Sequence, residues 1–223
     1  MFNFKSSISW ALLCGSLGVL FTFPAGATII GGSVTGGSAF TSGGTFVKLP
    51  VPIGNPFGVA NSVGADTFQS FNLFGFDEAQ NAMVSGIALA TDVGTNPIPV
   101  RTVVASHYIF FDPLNSASIV GTVDFDSNIL AIITSTGNLL LSDYLANTGV
   151  NYLNPGLRGL EAGDFVTING PRQIRFATTA GSPGDYVRVL TEFSPAAVPE
   201  PSAGLMIAGG IGVLMFIRRR SGK

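Results

Sequence analysis

The run Asp185–Phe193, DYVRVLTEF, decides how this chain is read. Val187, Val189, Thr191 and Phe193 alternate with Tyr186, Arg188, Leu190 and Glu192. That period of two marks a half-buried β-strand, because successive strand side chains point to opposite faces. Moving outward along the chain, similar β-favouring runs recur: RQIRFATT, DFVTING, NILAIITST, ASIVGTVDF, VRTVVASHYIFFD, NAMVSGIALAT and TFVKLPV. Gly, Pro, Asn and Asp separate them at the spacing of an antiparallel sandwich or barrel. In DTFQSFNLFGF (66–76) both faces are apolar, with Phe68, Phe74 and Phe76 on one and Phe71 and Leu73 on the other. Such a strand belongs between two layers. A single helix is expected through GNLLLSDYLANTG (137–149), with Leu140 and Tyr144 on its apolar side and Asn147 or Gly149 as its stop. The Gly-rich run Thr28–Gly44 reads either as a flexible linker or as short edge strands joined by glycine turns. No βαβ alternation is present, which excludes a doubly wound parallel sheet. The expected fold is therefore all-β and mainly antiparallel, a β-sandwich or jelly-roll-like domain with one short helix.

Two flanking segments stand apart from that domain. At the N-terminus Lys5 supplies a positive start, Ile8 to Phe23 an apolar stretch, and Ala25-x-Ala27 a small-residue processing site after Pro24. This is the layout of a secretory signal peptide, cut by signal peptidase between Ala27 and Thr28. Residues 1–27 are thus expected to leave, and Cys14 with them; bulky Leu13 before it does not suit lipid attachment. The exported domain, 28–195, then holds no cysteine, which excludes disulfides, thiolate metal sites and cysteine nucleophiles. Its length suffices for one hydrophobic core. Between residues 28 and 195, six basic residues face twelve acidic ones, leaving −6 with His107 neutral. That balance argues against a nucleic-acid partner, which needs a basic footprint.

Little in the domain carries a catalytic pattern. His107 is the only histidine, and Ser106 beside it points to the opposite strand face, so a Ser-His pair cannot close within one strand. No G-x-S-x-G elbow, phosphate loop or dinucleotide fingerprint occurs. The expected role of His107 is a hydrogen-bonded strand residue near a sheet rim, and the domain is expected not to be an enzyme. The turn DFDSN offers Asp124, Asp126 and Asn128 as alternate oxygen ligands, the opening of a calcium loop. An EF-hand fails there, since its sixth and twelfth places hold Ile129 and Ser135. A non-EF calcium site and plain turn-forming side chains are the two readings left open; no other cofactor is implied. Asp77–Glu78, Asp112 and Glu161–Asp164 are the carboxylates a glycoside hydrolase would draw on. That reading ranks last, behind carbohydrate or calcium-assisted glycan binding. No tryptophan remains after Trp10, and Tyr108, Tyr144, Tyr152 and Tyr186 are the rings left for stacking on a sugar.

The C-terminal stretch VPEPSAGLMIAGGIGVLMFIRRRSGK has three parts. Pro199-Glu200-Pro201 blocks a helix and leaves an extended backbone. Residues 203–217 form an uncharged run of about 22 Å as a helix, short for a hydrocarbon core of about 30 Å. Arg218, Arg219 and Arg220 extend its reach and hold that end in the cytoplasm.

In this order and spacing the segment 196–223 resembles the PEP-CTERM sorting signal of bacterial exported proteins. The resemblance implies Pro199, Glu200 and Pro201 as a recognition motif, a transmembrane helix over 203–217, and Arg218–Arg220 as a stop-transfer element. It further implies processing by an exosortase-type transpeptidase, in bacteria that make extracellular polysaccharide. The same signal has been labelled an ice-binding C-terminal region, but no regular threonine array supports that activity here. The expected protein is exported, single-pass in the cytoplasmic membrane before processing, and afterwards at the cell surface or in the matrix.

Overall fold

The computed structural model describes residues 27–193. Ala25, the Pro199-Glu200-Pro201 motif, the 203–217 run and Arg218–Arg220 lie outside the described residues, as do 1–26 of the signal segment. Among the described residues no helix is long and apolar enough to cross a membrane.

The domain is all-β, with two short helices. The chain opens with β1 (Ile29–Gly36), α1 (Gly37–Thr41), β2 (Phe46–Lys48), β3 (Ser62–Val63) and β4 (Leu73–Asp77). Two short strands, β5 (Ala82–Met83) and β6 (Val93–Gly94), precede β7 (Val103–Phe111), β8 (Ala117–Phe125) and β9 (Ile129–Ile133). After α2 (Thr136–Leu141) come β10 (Asn151–Tyr152), β11 (Phe165–Gly170), β12 (Gln173–Ala180) and β13 (Asp185–Glu192). Thr28–Gly44 resolves in favour of its second reading: β1 pairs along β8, and α1 follows.

Two sheets pack face to face. One runs β1-β8-β12-β11 and the other β2-β4-β7-β13-β9-β6, with β5 beside β7. Neighbours are antiparallel except β2 with β4, and the small separate β3–β10 pair is also parallel. Ile109, Phe111, Val187 and Val189 meet Ile119, Val123, Ile174 and Phe176 in the core between the sheets.

The larger sheet is buried on its other face as well. Phe74, Phe76, Tyr108, Phe110, Tyr186 and Leu190 pack under a cover formed by the 49–68 loop, the 82–98 segment and α2, which supply Ile53, Phe68, Leu89, Ile98 and Leu139. Aromatic rings tile this second core, with Phe68–Phe74, Phe74–Phe110 and Phe110–Tyr186 centroids at 4.6, 5.2 and 5.5 Å. The placement of Phe68, Phe74 and Phe76 on one face, opposite Leu73, is as the sequence indicates; Phe71 instead lies outside the strand and is exposed. Strand β13 departs from the half-buried expectation. It lies at the centre of the sheet and is buried on both faces from Asp185 to Thr191. Its even-numbered side chains face the second core rather than water, which forces Arg188 to be buried.

The expected helix is shorter than its apolar pattern suggests. Residues Thr136–Leu141 form α2 and Asp143–Leu145 a 3₁₀ turn, with Leu139 and Leu145 buried and Leu140 and Tyr144 exposed. The buried side is thus the opposite of the one inferred, because Leu139 and Leu145 join the second core, and Arg188 reaches up to the C-terminal end of the helix.

Candidate functional site

Three polar constellations organise the domain, and each begins at a strand that carries a charge inward. The first surrounds Arg188. Its Nε and Nη2 donate to Glu78 Oε2 at 2.7 Å and Oε1 at 2.9 Å. Its Nη1 donates to the Leu139 carbonyl at 3.2 Å and Ser142 Oγ at 2.6 Å. The guanidinium thereby adds a donor to a carbonyl at the end of α2 that also accepts from the Ser142 N–H and hydroxyl. Ser106 and Tyr152 hydroxyls also donate to Glu78, each at 2.6 Å. Burial alone would lower the Arg188 pKa, but the Glu78 carboxylate outweighs it and holds the guanidinium charged. Burial and then Glu78 push the Tyr152 phenol upward. Arg158 closes the edge of this network by a bidentate pair with Asp143 at 3.0 and 2.7 Å.

The second constellation holds His107. Its Nδ1 meets Asp77 Oδ1 at 2.8 Å, its Nε2 meets Thr191 Oγ1 at 3.0 Å, and its ring packs over Phe125. Both ring nitrogens are occupied and the side chain is fully buried. Ser106 points to the other face and serves Glu78, so the serine and histidine do not meet. Asp77 also accepts from Lys48 Nζ at 2.7 Å, Thr28 Oγ1 at 2.7 Å and the Ile29 N–H at 3.0 Å. Burial raises the Asp77 carboxyl, but His107, Lys48 and Thr28 together hold it well below the usual carboxylate range.

The DFDSN turn lies at this same end of the sandwich, and Asp124, Asp126 and Asn128 take separate partners. Asp124 Oδ1 accepts from Gln173 Nε2 at 2.7 Å. Asp126 Oδ1 accepts the Thr28 N–H at 2.8 Å. Asn128 donates to Glu192 Oε2 at 3.0 Å, and its backbone carbonyl accepts the Glu192 N–H at 2.8 Å. The turn thus joins the first and last strands of the domain. Ala27, the described half of the expected Ala25-x-Ala27 processing site, is buried beside it.

The third constellation lies at the opposite end of β13. Oxygen atoms of Glu161, Asp164 and Asp185 come within 4.8 Å of one another. Asp185 opens β13 facing the inter-sheet core and is only 1% exposed, and its Oδ2 has no hydrogen-bond partner. The Thr178 hydroxyl sits beside that carboxyl without closing a well-formed hydrogen bond, and it too is buried and unpartnered. Burial raises Asp185 to about 7 against the pull of Thr178, with Asp164 and Glu161 adding to the rise. Gly184 turns the chain into this position at φ +91°; a Cβ there would lie 2.7 Å from the Phe111 carbonyl oxygen. Next to it, Asp112 is buried at the end of β7, accepting the Phe68 N–H at 3.0 Å, and Asp66 is the neighbouring carboxylate. Burial raises Asp112 to about 6, opposed by the Phe68 N–H and reinforced by Asp66.

Of the carboxylates picked out in the sequence, Asp77 and Glu78 therefore serve separate structural networks on opposite faces of the sheet. Glu161 and Asp164 do come together, with Asp185 as a third member that the sequence reading passed over. Its signal is an acid at the first position of an otherwise apolar central strand, directly after a glycine turn. No family model, no curated protein and no solved structure matches this chain.

Proposed function

We propose that the chain is an exported, C-terminally sorted surface or matrix protein of bacterial PEP-CTERM type. Its jelly-roll-like β domain acts as a non-catalytic module. The 203–217 segment holds it in the cytoplasmic membrane, C-terminus inside, until an exosortase-type enzyme acts near Pro199–Pro201. The observation that carries this reading is the match of boundaries. Strand β1 begins at Ile29, just past the expected cut between Ala27 and Thr28, and β13 finishes at Glu192, ahead of Pro199. Cutting after Ala27 would leave a new α-ammonium at the Thr28 nitrogen, 2.8 Å from the Asp126 carboxylate, where it forms an ion pair. A non-catalytic role fits side chains already spent on structure, with Ser106 bound to Glu78 and both His107 nitrogens occupied. Mass spectrometry of the protein recovered from its native cells tests the reading. The expected product begins at Thr28 and lacks Arg218–Arg220, and a product running from Met1 to Lys223 overturns it.

A second reading, glycan binding, draws on a shallow cleft near the DFDSN turn, lined by Asp124, Asn169, Arg172 and Gln173 among others. These are side chains whose paired polar atoms suit adjacent sugar hydroxyls. Binding to an extracellular polysaccharide that weakens on Asn169→Ala and Arg172→Ala supports it, and equal binding by both variants removes it.

A further inference from the structure

We propose that Glu161, Asp164 and Asp185, with the Thr178 hydroxyl as a neutral donor, form a binding site for a calcium-sized divalent cation. Convergent acids alone would not establish this, since exposed acidic clusters are common without an ion. The second observation is the buried part of the cluster. Asp185 and Thr178 are 1% and 5% exposed, and each carries an oxygen with no partner. Leaving such atoms unmade costs free energy that a fold removes elsewhere by pairing. Here the two oxygens lie beside each other, and the Asp185 carboxyl opens toward two further carboxylates.

Charge points the same way. Among the described residues every ion pair involves Asp77, Glu78 or Asp143, and none involves Glu161, Asp164 or Asp185. Three acids held within 4.8 Å without a basic neighbour call for an external counter-charge. Their attachment is firm, as a site requires. Asp185 starts a central strand, and Thr178 lies on β12 facing it across the core. Asp164 is oriented by the Thr179 N–H, which donates to its Oδ1 at 2.7 Å and leaves the other oxygen to a ligand.

The donor set selects the ion. All four donors are oxygen, which suits a hard cation and disfavours zinc. Calcium binds oxygen at about 2.3–2.6 Å, so ligands on its opposite sides stand about 4.6–5.2 Å apart. Magnesium demands a near-ideal octahedral shell at about 2.0–2.1 Å and gives up its waters reluctantly, so a site of several protein carboxylates suits it less. Glu161 is exposed and marks the open side, through which the ion and its remaining waters enter.

The test is thermal unfolding of the full-length chain in detergent micelles, followed by circular dichroism with calcium, magnesium or a chelator. Calcium at about 10 mM is expected to raise the midpoint by about 3–10 °C over the chelated protein, as for an extracellular site of modest affinity. Magnesium is expected to give less than half of that. Asp185→Asn and Glu161→Gln are expected to abolish the calcium shift, while Asp124→Asn retains it. Glu161 is at the surface, so its variant stays folded even if the Asp185 variant does not. A midpoint indifferent to calcium, or a shift that survives Glu161→Gln undiminished, overturns the proposal.

Discussion

Glu78 and Arg188, 110 residues apart in sequence, meet in a bidentate pair from which water is excluded on every side. A buried pair of this kind is no proof of net stabilisation, since both ions lose their hydration. Breaking it on one side is costly all the same. Arg188→Met strands the Glu78 carboxylate and releases the end of α2, and is expected to lower unfolding free energy by about 3–5 kcal/mol. Glu78→Gln keeps two acceptable hydrogen bonds and should cost less. Urea denaturation of both variants and the double mutant measures the coupling, which is expected to exceed about 1 kcal/mol.

Asp77 gives the domain an acid-sensitive joint. Its carboxyl is held below the ordinary value of 3.8, so the stability it contributes is present above that pH and is lost as pH falls. Asp77→Asn is therefore expected to be less stable than the parent by about 1–2 kcal/mol at pH 7. The gap should narrow between about pH 4 and pH 2. Urea midpoints across that range check the sign.

Asp112 works in the opposite sense. With its carboxyl raised to about 6, the folded state holds a proton that the unfolded chain releases near 3.8. Its contribution is complete below the lower value and fades as pH rises through the upper one. Asp112→Asn keeps an acceptor for the Phe68 N–H and removes the ionisation. It is expected to be more stable than the parent by about 1–3 kcal/mol at pH 7.5, with little difference at pH 4. Thermal midpoints at the two pH values decide it.

Gly184 is the position where a single methyl group should do most harm. An added Cβ would press on the backbone of Phe111 and Asp112, and the residue's φ of +91° is unfavourable for any L side chain. Gly184→Ala is expected to cost about 2–4 kcal/mol, whereas Gly181→Ala, which meets open space, should cost under about 1 kcal/mol. Chemical denaturation of the pair separates strain from a general effect of loop glycines.

The all-β class was legible because nearly every long strand advertises its period, and because nothing in the chain alternates strands with helices. What the period could not report is how many layers surround a strand. DYVRVLTEF looks half-buried since it carries an arginine and a glutamate, yet only the glutamate reaches water. The distinction depends on Glu78, far away in sequence, arriving at the right place to neutralise Arg188. The helix register failed for a related reason, since Leu139 and Leu145 are drawn into a second core that the local pattern does not report. In the candidate sites, sequence spacing and spatial clustering are separate matters. Asp124, Asp126 and Asn128 sit two apart like ligands but turn to Gln173, Thr28 and Glu192, whereas Asp185 joins Glu161 and Asp164 through tertiary packing that no short motif records.

The contacts of Asp126 with Thr28 and of Asn128 with Glu192 put the way into the domain and the way out of it at one doorway. Tension applied between the two flanks would load this clasp first and peel β1 and β13 from their ends, one hydrogen-bonded rung at a time, a low-resistance direction for a sheet. The same arrangement sets a polarity. The acidic rim at Asp185 lies seven residue steps from Glu192 along β13, about 23 Å from this doorway.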